Sequence, residues 1–243
     1  MIKNLGRAGA FAVAAGVTRG AYEALRRSGV GGERPRRVNH AGREVELYSG
    51  PATALGAAVA VGGAPAAFAV LAAGACGAYD DAYGDDRRGF RAHLGALRRG
   101  EVTSGAVKLL GIGAAGLVAG ALMKERPVDK VLAGVVIAGT AHLVNLVDVR
   151  PGRALLGVLA LSTPGLLRGP EAAAPMGAAA AVLADDLGER TMLGDTGAHA
   201  LGAAVGAAIV AGNGRLGLAA HAAALVAAAA CGDHVTEWVR SPV

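Results

Sequence analysis

The sequence predicts an all-α protein, a polytopic transmembrane bundle of about nine spans with its N-terminus outside and its C-terminus cytoplasmic. Three observations carry that expectation. Of the 243 residues 53% are hydrophobic and only 3% aromatic, and the mean hydropathy is +0.43, a balance foreign to an ordinary soluble domain. Uncharged runs of Ala, Val, Leu and Gly recur between short polar connectors. The arginines crowd into alternate connectors, as membrane topology demands.

The apolar runs place spans at 5–23, 50–63, 65–80, 104–123, 128–148, 154–167, 173–187, 197–212 and 216–232. Breakers separate them: Gly62-Gly63 with Pro65, Arg126-Pro127, Pro164-Gly165 with Pro170, and Gly212-Asn213-Gly214. A spanning helix needs about 20 apolar residues, and several runs are shorter. Their small side chains instead suit close packing, with Gly116/Gly120 and Gly202/Gly206 at the spacing that lets helix backbones approach. No small-residue cleavage site precedes Arg19, so the first run is expected to be a retained helix. The whole of 1–243 reads as one integral membrane domain with active-site loops on the cytoplasmic face.

Orientation follows from Arg26, Arg27, Arg34, Arg36, Arg37 and Arg43 in one connector and Arg87, Arg88, Arg91, Arg98 and Arg99 in another. Both belong inside, and the two spans between them make the assignments consistent. Alternation then puts 149–153, 188–196 and the tail from Gly232 inside. It leaves Lys124, Arg126 and Lys130 outside, against the rule. The expected location is the cytoplasmic (inner) membrane. The net charge of +5 is explained by these connectors, which argues against a nucleic-acid partner. Cys76 and Cys231 lack metal-ligand spacing and read as small buried residues.

This topology sends the notable polar residues to one side, and ionisable groups at membrane depth mark a site by default. Asp80-Asp81 closes an apolar run; adjacent carboxylates repel, which favours a cation, a basic neighbour or a raised pKa. The structural alternative is a solvated helix end. Thr103 can cap the next helix, leaving Lys108 about one turn inside it. Only four lysines stand against twenty arginines, and a flexible ammonium at a helix start suits a phosphate, with snorkelling as the plain alternative. His142, Asn145 and Asp148 share a helix face, where Asn and Asp offer oxygen ligands for Mg²⁺ and His142 reads as an interhelical hydrogen-bonding residue. Arg150 and Arg153 can hold a nucleotide phosphate, and His93 can meet one too. Asp195, between glycines, is either a helix N-cap or a metal ligand. Asp185-Asp186, Glu189 and Arg190 read as a solvated loop, and His199, His221 and His234 as scattered residues without a catalytic role.

In order, Gly77-Ala78-Tyr79-Asp80-Asp81, Thr103 to Lys108, Asn145-Leu146-Val147-Asp148 and Leu193-Gly194-Asp195-Thr196-Gly197 resemble the polyprenyl-phosphate N-acetylhexosamine-1-phosphate transferase family. That family includes the phospho-MurNAc-pentapeptide translocase and the GlcNAc-1-phosphate transferases. The likeness runs over about 35–200. It implies transfer of a sugar 1-phosphate from a nucleotide-activated sugar, a UDP-HexNAc, to a polyprenyl phosphate, starting a lipid-linked cell-envelope glycan. It implies Asp80, Asp81, Lys108 and Asp148 as catalytic residues, Arg150, Arg153, His93 and Asn145 as substrate-binding residues, and Asp195 with Asn145 as the metal site. The cofactor would be Mg²⁺, with Mn²⁺ as an alternative, and the partners the membrane, the lipid phosphate and the nucleotide sugar, with a homodimer allowed. His142, Pro151 and Met192 depart from the family pattern at positions associated with nucleotide contact. The histidine-rich loop of the peptidoglycan translocase is also absent, which disfavours MurNAc-pentapeptide as the sugar. The competing expectation is an inactive relative serving as a structural or regulatory membrane subunit. A CDP-alcohol phosphotransferase is disfavoured because its compact string of aspartates and glycines is missing.

Overall fold

The computed structural model describes residues 5–30, 36–84, 95, 99–101 and 103–240. The protein is all-α, and nine of its helices fall on the nine apolar segments. They are α1 (Arg7–Ser28), α2 (Ser49–Ala60), α3 (Ala64–Tyr83), α4 (Ser104–Met123), α5 (Pro127–Val147), α6 (Arg153–Ser162), α7 (Ala173–Leu187), α8 (Gly194–Gly212) and α9 (Arg215–Ala230). A 3₁₀ turn, Thr163–Leu167, extends α6. Two elements were not foreseen: α10 (Gly232–Arg240) and a small antiparallel hairpin of β1 (Arg36–Val38) and β2 (Glu44–Glu46). His93 and the arginines Arg34, Arg87, Arg88, Arg91 and Arg98 lie outside the described residues.

Local signals set the helix ends. Gly29, left-handed at φ 59°, stops α1 by returning its N–H to the Leu25 carbonyl. The Thr103 hydroxyl accepts the Ala106 amide at 3.2 Å and so caps α4 as its sequence position predicts. Pro127 opens α5, where its missing N–H is no loss.

Small residues decide which helices meet. A Cβ added at Gly202 would stand 2.6 Å from the Ala141 Cα, and one at Gly206 2.7 Å from the Ile137 Cα, so α8 lies backbone to backbone on α5. On an adjoining face of α5, a Cβ at Gly116 would meet the Gly134 carbonyl at 2.8 Å and one at Gly120 the Lys130 carbonyl at 2.5 Å. Both glycine pairs thus press onto α5 from α8 and α4, a close approach only small residues permit. In both contacts later residues of one helix meet earlier residues of the other, so α5 runs antiparallel to α4 and α8.

Helix α8 sits in the middle, against α2, α3 and α5, and nearly all of its residues are buried. The periphery is the reverse. Leu109, Leu110, Leu117, Val118 and Leu122 of α4 are exposed, as are Phe68 and Leu71 of α3. Many large apolar side chains therefore face outward, while alanine and glycine predominate along the buried α8. Among the described residues two helices, α4 and α5, are long and apolar enough to cross a hydrocarbon core.

The connectors sort to two ends. At one end, Lys124 Nζ donates to the Asn213 carbonyl at 3.0 Å, Arg168 Nη1 to the Gly212 carbonyl at 3.0 Å, and Arg215 pairs with Asp129 at 2.7 Å. Lys124 and Arg168 thereby satisfy carbonyls where α8 stops, a structural task for a lysine that breaks the arginine rule. At the other end meet the hairpin, the last turn of α3, the start of α4, residues 148–152 and residues 188–195. Cys231 also differs from expectation: it is exposed, just past α9.

Candidate active site

The site forms where the end of α3 meets the start of α8. Gly77 makes this possible, because any Cβ there would collide with the Asp195 carbonyl. Gly194 completes the approach: its φ is +63°, and a Cβ would stand 3.0 Å from an Asp81 oxygen. Carried this close, the Asp81 carboxylate accepts the Asp195 amide at 3.0 Å, the Thr196 amide at 2.9 Å and the Thr196 hydroxyl at 2.6 Å. The N-cap position of α8 is Leu193, which has no acceptor side chain. Asp81 supplies from another helix the anion that the first turn requires.

Asp80, one residue earlier, turns to α4. Lys108 Nζ donates to its carboxylate at 2.7 Å and also to the Asp195 carboxylate. Ser104, at the start of α4, hydrogen-bonds Asp80 as well. Three helices, α3, α4 and α8, are therefore pinned together through one largely buried ammonium. Asp195 lies in the first turn of α8 and is not its N-cap, which removes one of its two sequence readings.

Beneath this cluster, toward the bundle centre, His199 is buried on α8 with Nδ1 2.7 Å from the Asp195 carbonyl oxygen. Lys108, His142 and Asp80 are all near enough to act on its charge. His142 makes no hydrogen bond among the described residues, so its expected interhelical bond is not seen.

Asp148 caps the C-terminal end of α5, and Asn145, one turn inside, lends its carbonyl to the Asp148 amide at 3.2 Å. Burial, and then the charges of Asp186, Asp195 and Asp81, hold the Asp148 carboxyl well above the usual carboxylate range. Arg150 lines a cleft with Asp148, while Arg153 opens α6.

Asp185 and Asp186 correct the solvated-loop reading, because both are buried in the last turn of α7. Asp185 pairs with Arg19 at 2.6 Å and Arg190 at 2.9 Å. Asp186 accepts the Gly152 amide at 2.5 Å, tying the end of α7 to the loop after α5. A signal was present in the sequence: Asp185-Asp186 closes an apolar run just as Asp80-Asp81 does.

Among the described residues no group of three or more His, Cys, Asp or Glu is arranged to hold a metal. Mg²⁺ asks for less, commonly one or two protein oxygens completed by water and substrate phosphates. The charges of Asp81, Asp186 and Asp195 all bear on Asp148, and Lys108 pairs with both Asp80 and Asp195. Carboxylate and amide oxygens are the donor type that a hard divalent cation takes. Comparison with protein-family models and with curated proteins gave no match.

Proposed function

We propose that the chain is a membrane-embedded, Mg²⁺-dependent transferase that moves a sugar 1-phosphate from a nucleotide sugar, a UDP-HexNAc, to a polyprenyl phosphate at the cytoplasmic face of the inner membrane. The observation that carries this reading is Lys108 held between Asp80 and Asp195 at the polar end of the bundle. The outward-facing leucines and valines support lipid as the surrounding medium, with nine helices as spans and the site end inside.

In this reaction a lipid-phosphate oxygen attacks the β-phosphorus of the donor. A new P–O bond forms, the bond from that phosphorus to the bridging oxygen breaks, and the nucleoside monophosphate leaves with that oxygen. Lys108 provides positive charge where two anionic phosphates must approach. Asp80 fixes the Lys108 ammonium and is the carboxylate placed to accept a proton from a protonated lipid phosphate. Asp81 is a positioning residue: its bonds to the α8 amides set where the Asp195 side chain stands. Asp195 and Asn145 would hold Mg²⁺, whose charge would neutralise the diphosphate and its leaving group. Arg150, at the cleft, meets the donor.

One observation favours a second reading, an inactive relative with a structural or regulatory role: the Asp195 carboxylate is already paired with Lys108. Purified protein incubated with undecaprenyl phosphate, labelled UDP-GlcNAc or other nucleotide sugars, and Mg²⁺ or EDTA separates the two. Chelator-sensitive lipid product is expected. Folded protein giving none with any donor would remove the transferase reading.

A further inference from the structure

The β1–β2 hairpin belongs to the site end, yet the chemistry above does not use it. It is stitched to the loop before α8. The Met192 amide and the Thr191 hydroxyl donate to the Glu46 carbonyl at 2.9 and 3.0 Å. Asn39 Nδ2 donates to Glu189 at 2.6 Å, and Arg43 lies 3.6 Å from the same carboxylate. From below, the Glu46 carboxylate accepts the Tyr22 hydroxyl at 2.9 Å and pairs with Arg26 at 3.0 Å. The turn is also fixed from within, since Asn39 Oδ1 accepts the amides of Ala41 and Arg43 at 3.0 and 2.9 Å. Residues 39–42 therefore form a braced turn at the rim of a cleft whose other walls are the loops 148–151 and 189–193.

That cleft has a definite chemical character. Asp148, Asp186 and Glu189 supply acceptors, His40 and Arg150 supply donors, and Met192 adds an apolar surface. Asp186 is buried, and its carboxylate accepts the Gly152 amide, which fixes it on the floor of the cleft. A diphosphate placed against the Asp186 and Glu189 carboxylates would be repelled, whereas Lys108 lies toward the α3 and α8 junction. The donor's anionic part is thus directed to Lys108, and its neutral, hydroxyl- and N–H-bearing part to the cleft. An apolar side chain beside donors and acceptors suits one edge of a heterocycle or its ribose, and the cleft, at about 70 Å³, takes that edge and does not enclose a whole nucleoside.

We propose that the hairpin turn is one wall of the nucleoside subsite and that His40 contacts the base or ribose of the donor. This rests on the transferase reading. The recognition is built from the connector between α1 and α2, held in place through Asn39 and Glu46.

The test is titration of the full-length, detergent-purified protein with uridine, cytidine, adenosine and guanosine monophosphates, and with GlcNAc 1-phosphate as a separate arm. His40→Ala is compared with wild type and with Glu44→Ala, an exposed change on the same hairpin outside the cleft. The wild type is expected to bind one nucleoside monophosphate, His40→Ala to weaken it by about tenfold or more, and Glu44→Ala to stay within about twofold. Sugar-phosphate affinity is expected to be the same in all three. Equal nucleotide affinity in His40→Ala, or a loss confined to the sugar phosphate, overturns the subsite while leaving the transferase reading intact. Failure of the wild type to bind any of the four nucleotides overturns both.

Discussion

Asp80 and Asp81 are adjacent in the chain and hold different helices. Asp80 accepts the Lys108 ammonium from α4 at 2.7 Å, whereas Asp81 accepts the Asp195 and Thr196 amides of α8. Successive residues on a helix point about 100° apart, so one pair of carboxylates can face two neighbours. The like-charge repulsion that adjacency implies is relieved because each charge has its own partner.

The division of labour predicts different consequences for the two aspartates. Asp80→Asn should retain the fold and lower turnover by about 10²-fold or more, the scale of a lost proton acceptor. Asp81→Ala should lower both turnover and stability, the latter by about 1 kcal/mol, as removal of a helix cap does. Turnover assays paired with thermal unfolding in detergent check this; equal melting temperatures for the two variants would contradict it.

Lys108→Met keeps length and removes charge, which leaves the Asp80 and Asp195 carboxylates facing each other. Turnover should fall by about 10²-fold or more. Lys108→Arg should not restore it, because a planar guanidinium cannot occupy the same point between two carboxylates. Restoration by arginine would show that charge alone suffices.

Gly77→Ala should destabilise the protein by about 1–3 kcal/mol, the range for overpacking, and also lose activity as α3 is forced off α8. Gly113→Ala on α4 meets nothing within 4 Å and should be neutral or mildly stabilising. Chemical unfolding of both variants measures the contrast.

Asp148 links stability to pH. Its carboxyl is raised in the folded protein above about 3.9, the unfolded value. Its stabilisation is therefore fully present below that value and is lost as pH rises through the folded pKa. Asp148→Asn, neutral at every pH, should gain on wild type in melting temperature as pH increases across this window. Parallel melting curves would show that Asp148 is not held neutral.

Activity should vanish with EDTA and return with Mg²⁺, and Asp195→Ala should not recover at any Mg²⁺ concentration tested. Labelled lipid product over a Mg²⁺ titration reads the outcome.

Much of this arrangement was legible from residue patterns. The uninterrupted apolar runs gave all nine helices within a few residues, because period and breakers are local properties. The Gly116/Gly120 and Gly202/Gly206 pairs marked real contacts, since only a helix about to touch another gains from lacking a side chain there. Lys108 stood out by rarity. The hairpin did not, because its strands are three residues each and β1 is exposed throughout, leaving no alternation to read. Asp185 looked solvated because its partner Arg19 is 166 residues away in the chain. The roles of Asp80 and Asp81 depend on an α3–α8 approach that no spacing encodes.

The burial of α8 bears on how the molecule is assembled. Its alanines and glycines offer little to lipid, and its neighbours α2, α3 and α5 all precede it in the chain. Until α8 arrives, those helices surround a slot the width of a small-residue helix, and Lys108 lacks one of its two carboxylates. The candidate site is completed by the docking of a single late segment, so a chain stopped before Gly194 would carry seven helices and a site without Asp195.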